Sequence, residues 1–343
     1  MKIRSMVAAV AAALLVVAFA SAPAQAAKEI RWGTSRVGSS GHRALTGLTQ
    51  VLGKYMQDYN FTVQPTPGAI VTVKGYATGQ FEGYYGSDVA FWELANNAKR
   101  FEGFKAQMQR QPVQSFWAFT IEMGVGIHKR DAGKLKSWGD LNGQRVFTGP
   151  RPWDTRAQIE RAFETLGVKH EYMEVDTGSA GALLEGGRYA ALGVYTNAES
   201  TTAPWITEAS LQTDWVALNP NANEIAALKK AGFSVVEIDP KIFGKKDTYA
   251  AKAVMLPFYY GFHVGMEVSE ADVDRMLKTI EQHADELVQA DKTFKQVAAD
   301  MPRMQRRGVE SSAELVPIHP GLAKYMREKG VWDAKWDSRV AKP

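Results

Sequence analysis

No cysteine occurs among the 343 residues. That excludes a disulfide framework, a cysteine nucleophile, a thiolate metal site and a lipid anchor on a cysteine. Six histidines are present, His42, His128, His170, His263, His283 and His319, and no pair of them has HExxH or another short metal-ligand spacing. There is no GxSxG elbow. No Gly-Lys-Ser/Thr follows the glycine-rich segment near the N-terminus, and that segment lacks dinucleotide-fingerprint spacing. Lys and Arg exceed Asp and Glu by only four, too small and too mixed a balance for nucleic acid. The sequence thus points away from an enzyme, and no metal or cofactor is expected.

What is present begins at the N-terminus. Lys2 and Arg4 precede fifteen uncharged residues, Met6 to Ala20. Ser21-Ala22-Pro23 breaks the run, and Ala24-Gln25-Ala26 supplies a small-x-small cleavage pattern. These are the three regions of a secretory signal peptide. The rival reading, a membrane anchor, needs about 20 apolar residues, and the run is shorter. Cleavage near Ala26 is expected, with the mature chain in the periplasm. It would keep 317 residues and a formal charge of +2, because Lys2 and Arg4 leave with the peptide. That length suits two domains.

Strands and helices then alternate. Glu29 to Thr34 has strand alternation, and Leu45, Leu48, Leu52 and Tyr55 recur at helical spacing. Between them lies a polar loop, Gly33 to Gly41. A strand over Phe61 to Gln64, a helix over Val71 to Ala77 and a buried strand with a polar exit over Tyr84 to Phe91 follow. Ser115 to Ile127 is a long strand region. The order repeats after Lys129: strand Arg145 to Thr148, polar loop Gly149 to Asp154, and a helix with Ile159, Ala162, Phe163 and Leu166 on one face. Asp154 is expected as its N-cap and Gly167 as its stop. Strands at Glu171 to Val175 and Ala190 to Tyr195 flank a helix over Ser179 to Glu185. Ser269 to Asp272 is a capping box, opening a buried face that runs from Val273 to Leu287. The pattern predicts α/β layers with largely parallel sheets, and ligands then sit where strand ends turn into helices.

The loops offer binding groups rather than catalytic ones. Thr34, Ser35, Ser39 and Ser40 carry hydroxyls beside Arg36, His42 and Arg43. Arg151, Trp153, Asp154, Thr155 and Arg156 occupy the corresponding loop of the second half. An Arg fork binds a carboxylate bidentately, and a Trp walls off one side. Each Arg also has the plainer reading of a solvated charge. Ser39 reads more readily as a turn residue than as a nucleophile. Ser87 and Asp88 stand at a strand exit, where Asp88 either binds an amine or caps the next helix. Tyr195 ends another strand. The run Phe258-Tyr259-Tyr260 suits a buried hinge or sheet face better than ligand contact.

Four segments carry a family likeness: IRWGTSRVGSSGHRALTGLTQVLGKY, PGAIVTVKGYATGQFEGYYGSDVAFW, DLNGQRVFTGPRPWDTR and VPIHPGLAKYMREKGVW. In this order the chain resembles the extracytoplasmic solute receptors of TAXI-type TRAP transporters. The resemblance implies a type II periplasmic-binding-protein fold, two α/β lobes around a ligand cleft. Residues 27–121 plus 265–343 would form lobe 1 and residues 122–264 lobe 2. It also implies a monomer that closes on a small carboxylated solute and hands it to a TRAP-type inner-membrane permease driven by an ion gradient. The matched loops put Thr34, Ser35, Ser39, Ser87 and Asp88 on one wall and Arg151, Asp154, Thr155 and Arg156 on the other.

The chain departs from that pattern at pocket positions. Gly41 and His42 stand where a Tyr pair is usual, Gly86 replaces a Gln, and Arg151-Pro152-Trp153 replaces a small, glycine-rich stretch. No acidic residue lies near Arg188 to Gly193. Fold transfers more safely than ligand, and His42, Arg151 and Trp153 suggest an organic acid with an apolar or aromatic part. The alternatives are a receptor for an ATP-driven importer, a sensory interaction module and a secreted hydrolase.

Overall fold

The computed structural model describes residues 27–244 and 252–342. The expected signal peptide lies outside the described residues. Among them, no helix is long and apolar enough to cross a membrane.

Alternation becomes strand and 3.6-periodicity becomes helix much as the pattern predicts. β1 (Lys28–Thr34) buries Ile30 and Trp32. α1 (Ser40–Tyr55) buries Ala44, Leu45, Leu48, Val51 and Leu52, and its N-cap Ser39 accepts a hydrogen bond from the His42 N–H at 3.2 Å. β2 (Tyr59–Pro65), α2 (Ala69–Ala77), β3 (Gly83–Ser87) and α3 (Asp88–Ala95) complete the first run. β4 (Trp117–His128) is buried at every position. β5 (Arg145–Phe147), α4 (Asp154–Leu166), β6 (Glu171–Tyr172), α5 (Ala180–Glu185) and β7 (Ala191–Asn197) form the second run. β8 (Thr201–Thr202), α6 (Pro204–Gln212), β9 (Trp215–Leu218), α7 (Ala222–Lys230), β10 (Val236–Ile238) and the long β11 (Ala253–Val264) follow. The tail is helical: α8 (Glu270–Gln282), α9 (Ala284–Ala290), α10 (Lys295–Ser312) and α11 (Pro320–Glu328).

The strands join in the order β2-β1-β3-β11-β4-β7-β5-β6. β1 runs parallel to β2 and β3, and β5 runs parallel to β6 and β7. The antiparallel pair β4 and β11 stands between these groups. β11 meets β3 through Tyr260 to Val264, whereas β4 meets β7 through Ile121 to Ile127. Each long strand therefore serves two α/β layers in succession, which gives the two-lobed architecture expected from the sequence. The tail returns to the first layer, where α8 packs on α1 and α11 on α8.

Four local expectations need correction. Trp153, not Asp154, is the N-cap of α4; Asp154 is its first residue and is fully buried. A carboxylate that caps a helix faces its own N–H groups, and this one faces the opposite half of the chain instead. Ser87, not Asp88, caps α3, accepting from the Ala90 N–H at 3.0 Å. Only Glu171–Tyr172 of the expected five-residue strand pairs. The buried face from Val273 to Leu287 is divided between α8 and α9 at His283. Gly167 does adopt the left-handed stop, φ 71°.

Candidate functional site

The C-terminal ends of β1, β3, β5 and β7 face one another across the junction of the two halves. α1 and α4 begin there, so two positive helix ends approach the same space. A cavity of about 30 Å³ lies between them. Ser35, Ser39, Ser40, Tyr85 and Ala69 line it from the first half, Trp153, Thr155 and Tyr195 from the second, with Ile121 and Tyr260 from the long strands. That space is about one water molecule. The halves as they stand here meet closely around it, leaving no room for an organic solute.

The closed cleft leaves hydroxyls unused. Ser40 Oγ and Thr155 Oγ1, one from each half, are buried without a hydrogen-bond partner, and so is Thr34 Oγ1 at the end of β1. Buried polar atoms are normally paired, so these atoms have capacity for a ligand. Tyr195 is already engaged: its oxygen accepts from Trp205 Nε1 at 3.1 Å. Burial pushes its phenol up to about 12. Tyr85 stacks on Tyr260 with ring centroids 4.2 Å apart, and burial raises both phenols well above their ordinary value. Gly41 is small because Tyr85 occupies the space that a Cβ would take.

Asp154 joins the halves. Its Oδ2 accepts from Ser87 Oγ at 2.5 Å and Tyr260 OH at 2.9 Å, and its Oδ1 accepts from Arg100 Nη1 at 2.6 Å. Arg100 Nη1 also reaches the Pro152 carbonyl at 2.8 Å, and Nε reaches Glu93 at 2.7 Å. Burial opposes the charge on Arg100, but Asp154 and Glu93 outweigh it and raise its pKa. Asp154 thus holds a buried latch in which both its oxygens are taken, while Arg100 Nη2 stays unpartnered. Trp153 adds to it: Arg36 lies 5.3 Å over its ring, and its Nε1 donates to the Pro67 carbonyl at 3.3 Å.

The remaining residues lie elsewhere. Arg151 is 65% exposed, 3.8 Å from Glu174, with its guanidinium 4.9 Å over Tyr172. Arg156 pairs with Glu160 at 2.8 Å and stacks on Tyr172. His42 does not line the cleft cavity. Asp88 Oδ1 is buried and unpartnered, and that burial pushes its carboxyl up to about 7 despite Arg161 nearby. Tyr85 and Arg100 were not expected from the sequence, and Tyr260 was expected only as a sheet residue. Tyr260 is both a sheet residue and part of the latch. Arg100 carries no local signal, because it follows α3 in a short connecting turn.

Among the described residues, no group of three or more His, Asp or Glu is placed to hold a metal ion. No curated protein matches the chain. Among solved structures, the chain is similar to the periplasmic aliphatic sulphonate binding protein SsuA from Escherichia coli at 13% identity, covering 88% of this chain and 78% of that one, TM-score 0.44. The alkanesulfonate-binding protein SsuA from Xanthomonas axonopodis pv. citri, bound to MOPS, matches at 12% identity over 93% and 96%, TM-score 0.45. A putative L-cystine ABC transporter from Listeria monocytogenes matches at 10% over 78% and 95%, TM-score 0.44. Identity this low transfers neither ligand nor partner. A family model matches residues 50–330, well over half of the chain, and the protein accordingly belongs to the NMT1-like family.

Proposed function

We propose that this protein is a periplasmic solute receptor that captures a small organic acid between its two halves and delivers it to an inner-membrane permease. The carrying observation is the closed cleft, with Ser40 Oγ and Thr155 Oγ1 buried and unpartnered on opposite walls. A ligand that bridges them stabilises the closed form by its differential affinity for that form. The two helix N-termini and the hydroxyls of Ser35, Ser39, Ser40 and Thr155 suit an anionic head group. Tyr85, Tyr195, Tyr260 and Trp153 suit an apolar body. Binding and release need no covalent step. Lobe 1 comprises residues 27–121 plus 265–343 and lobe 2 residues 122–264, with β4 and β11 as the crossings.

The segments quoted from the sequence favour a TRAP-type permease of the TAXI class, driven by an ion gradient. A second reading is a receptor for an ATP-driven importer, the class to which the name of the Listeria protein above refers. Neighbouring reading frames for fused TRAP membrane segments select the first, and one for an ATPase subunit selects the second. The receptor role is tested by mass spectrometry of small molecules released from the unfolded protein, followed by calorimetry of each. A bound organic acid whose affinity falls in Thr155→Val supports it. No small solute bound, or turnover of one, overturns it.

A further inference from the structure

A larger cavity, about 340 Å³, lies beside the cleft between the facing sides of α3 and α4. It shares only Trp153 with the cleft lining. Its volume falls in the range of small-molecule sites, about 300–1,000 Å³. Val89, Trp92, Pro152, Trp153 and Ala157 supply apolar and aromatic wall.

Its charges do not cancel by pairs. Arg100 is matched by Glu93 and Asp154, Arg156 by Glu160, and Lys99 by Glu164. Arg161 also lines the cavity; Asp88 and Glu93 are near enough to favour its charge, but among the described residues no carboxylate lies within ion-pair distance of it. Its Nη2 donates to Gln158 Oε1 at 3.0 Å, and its Nε is buried without a partner. Phe233 and Trp92 hold the guanidinium plane, 4.5 Å and 5.8 Å from their ring centroids. A guanidinium beside two rings, with an unpartnered N–H and no contacting carboxylate, has the capacity to take up a carboxylate.

We propose that this side pocket is a second ligand site, separate from the cleft, for a small monoanion with an aromatic or apolar body. The acid group pairs with Arg161, and the ring lies against Trp92 and Trp153. Arg161 is the one of the lining cations without a contacting carboxylate among the described residues, so an acid group has a partner there. Because α3 and α4 come from opposite halves, the site is complete only in the closed arrangement.

Calorimetry of the whole chain with phenylacetate, and with neutral phenylacetamide as its match, tests this. Phenylacetate is expected to bind saturably, and phenylacetamide and Arg161→Gln each to weaken binding by about tenfold or more. Ala157→Phe fills the cavity while every cation stays, and is expected to abolish binding. Circular dichroism identifies a variant that has failed to fold, and the other then carries the test. In the cleft double variant Ser40→Ala/Thr155→Val, the Arg161-dependent part of phenylacetate binding should persist. No saturable heat, equal binding of the amide, unchanged binding in folded Arg161→Gln and Ala157→Phe, or loss in the cleft variant alone would overturn the site. The last outcome would leave the cleft reading standing, whereas a cleft that binds no acid leaves this pocket untouched.

Discussion

The two strand-to-helix loops look alike in sequence and do different work. Gly33 to Gly41 and Gly149 to Arg156 each follow a parallel strand, carry arginine and polar residues, and open a helix. The first presents hydroxyls: Ser35, Ser39 and Ser40 line the cleft, and Ser40 Oγ is unpartnered. The second commits its most polar residue to the protein itself, since three donors already occupy Asp154. Charge in a loop therefore does not identify a ligand contact. Burial decides: a buried carboxylate must find donors, and two of them, Ser87 and Arg100, come from the facing half.

The largest expected effect breaks the second loop's role. Asp154→Ala leaves Arg100 buried beside Glu93 alone. Leaving a buried charge uncompensated typically costs about 3–5 kcal/mol, and the remaining Glu93 contact places this loss toward the lower end. Denaturant unfolding should lose stability on that order, and small-angle scattering should show a more open particle. An unchanged midpoint and radius would mean that the latch is incidental. Asp154→Asn is the sharper version, because it keeps shape and hydrogen-bonding capacity while removing the charge, and it should lose less.

The unused hydroxyls, one from each loop, probe the cleft itself. Thr155→Val on one wall and Ser40→Ala on the other should each weaken the cleft ligand by about 1 kcal/mol, several-fold in Kd, if each makes one hydrogen bond. Calorimetry with the acid recovered from the purified protein measures it. Stability should hardly fall, since neither hydroxyl has a partner in the closed form. A variant that loses stability but not affinity would show that the hydroxyl belongs to the scaffold.

A third test concerns the strands that join the loops. Glu122 on β4 is fully buried. It accepts hydrogen bonds from Thr120 Oγ1, from Thr196 Oγ1 at 2.5 Å and from the Glu199 N–H at 3.0 Å. Burial outweighs these donors and pushes its carboxyl from 4.5 up to about 7. The folded form thus keeps a proton that the unfolded chain releases near 4.5. The resulting stabilisation is full below about pH 4.5 and is lost as pH rises through about 7, at roughly 1 kcal/mol for each pH unit in between. Glu122→Gln should flatten that part of the unfolding profile between about pH 5 and 8. A slope identical to the parent's would mean that Glu122 does not carry it.

Much of this fold was legible in the chain. Alternation at Ile30 and Trp32 and helical spacing from Leu45 to Leu52 are local signals, and local burial answered them. The latch was not legible, because Ser87, Arg100, Asp154 and Tyr260 are distant in sequence and meet only through the order of the strands. Asp154 looks the same in a string whether it caps a helix or crosses a cleft. The side pocket is equally silent: Arg161 has an ordinary place on an amphipathic helix, and only the approach of α3 brings Trp92 to its guanidinium.

The smallest expected effect is the most informative about the loops. Arg151 sits between Pro150 and Pro152, and in sequence it is the second loop's obvious carboxylate fork. In the structure it is 65% exposed, beside Glu174 and over Tyr172, and it is absent from the cleft lining. An exposed pair of this kind contributes about 0–1 kcal/mol. Arg151→Ala should therefore leave the cleft ligand's Kd within about twofold and unfolding within about 0.5 kcal/mol. A tenfold loss of affinity would require the loop to turn Arg151 inward when the halves part. The two loops would then be alike after all, each presenting a cation to the solute in the open form, and only the closed form would distinguish them.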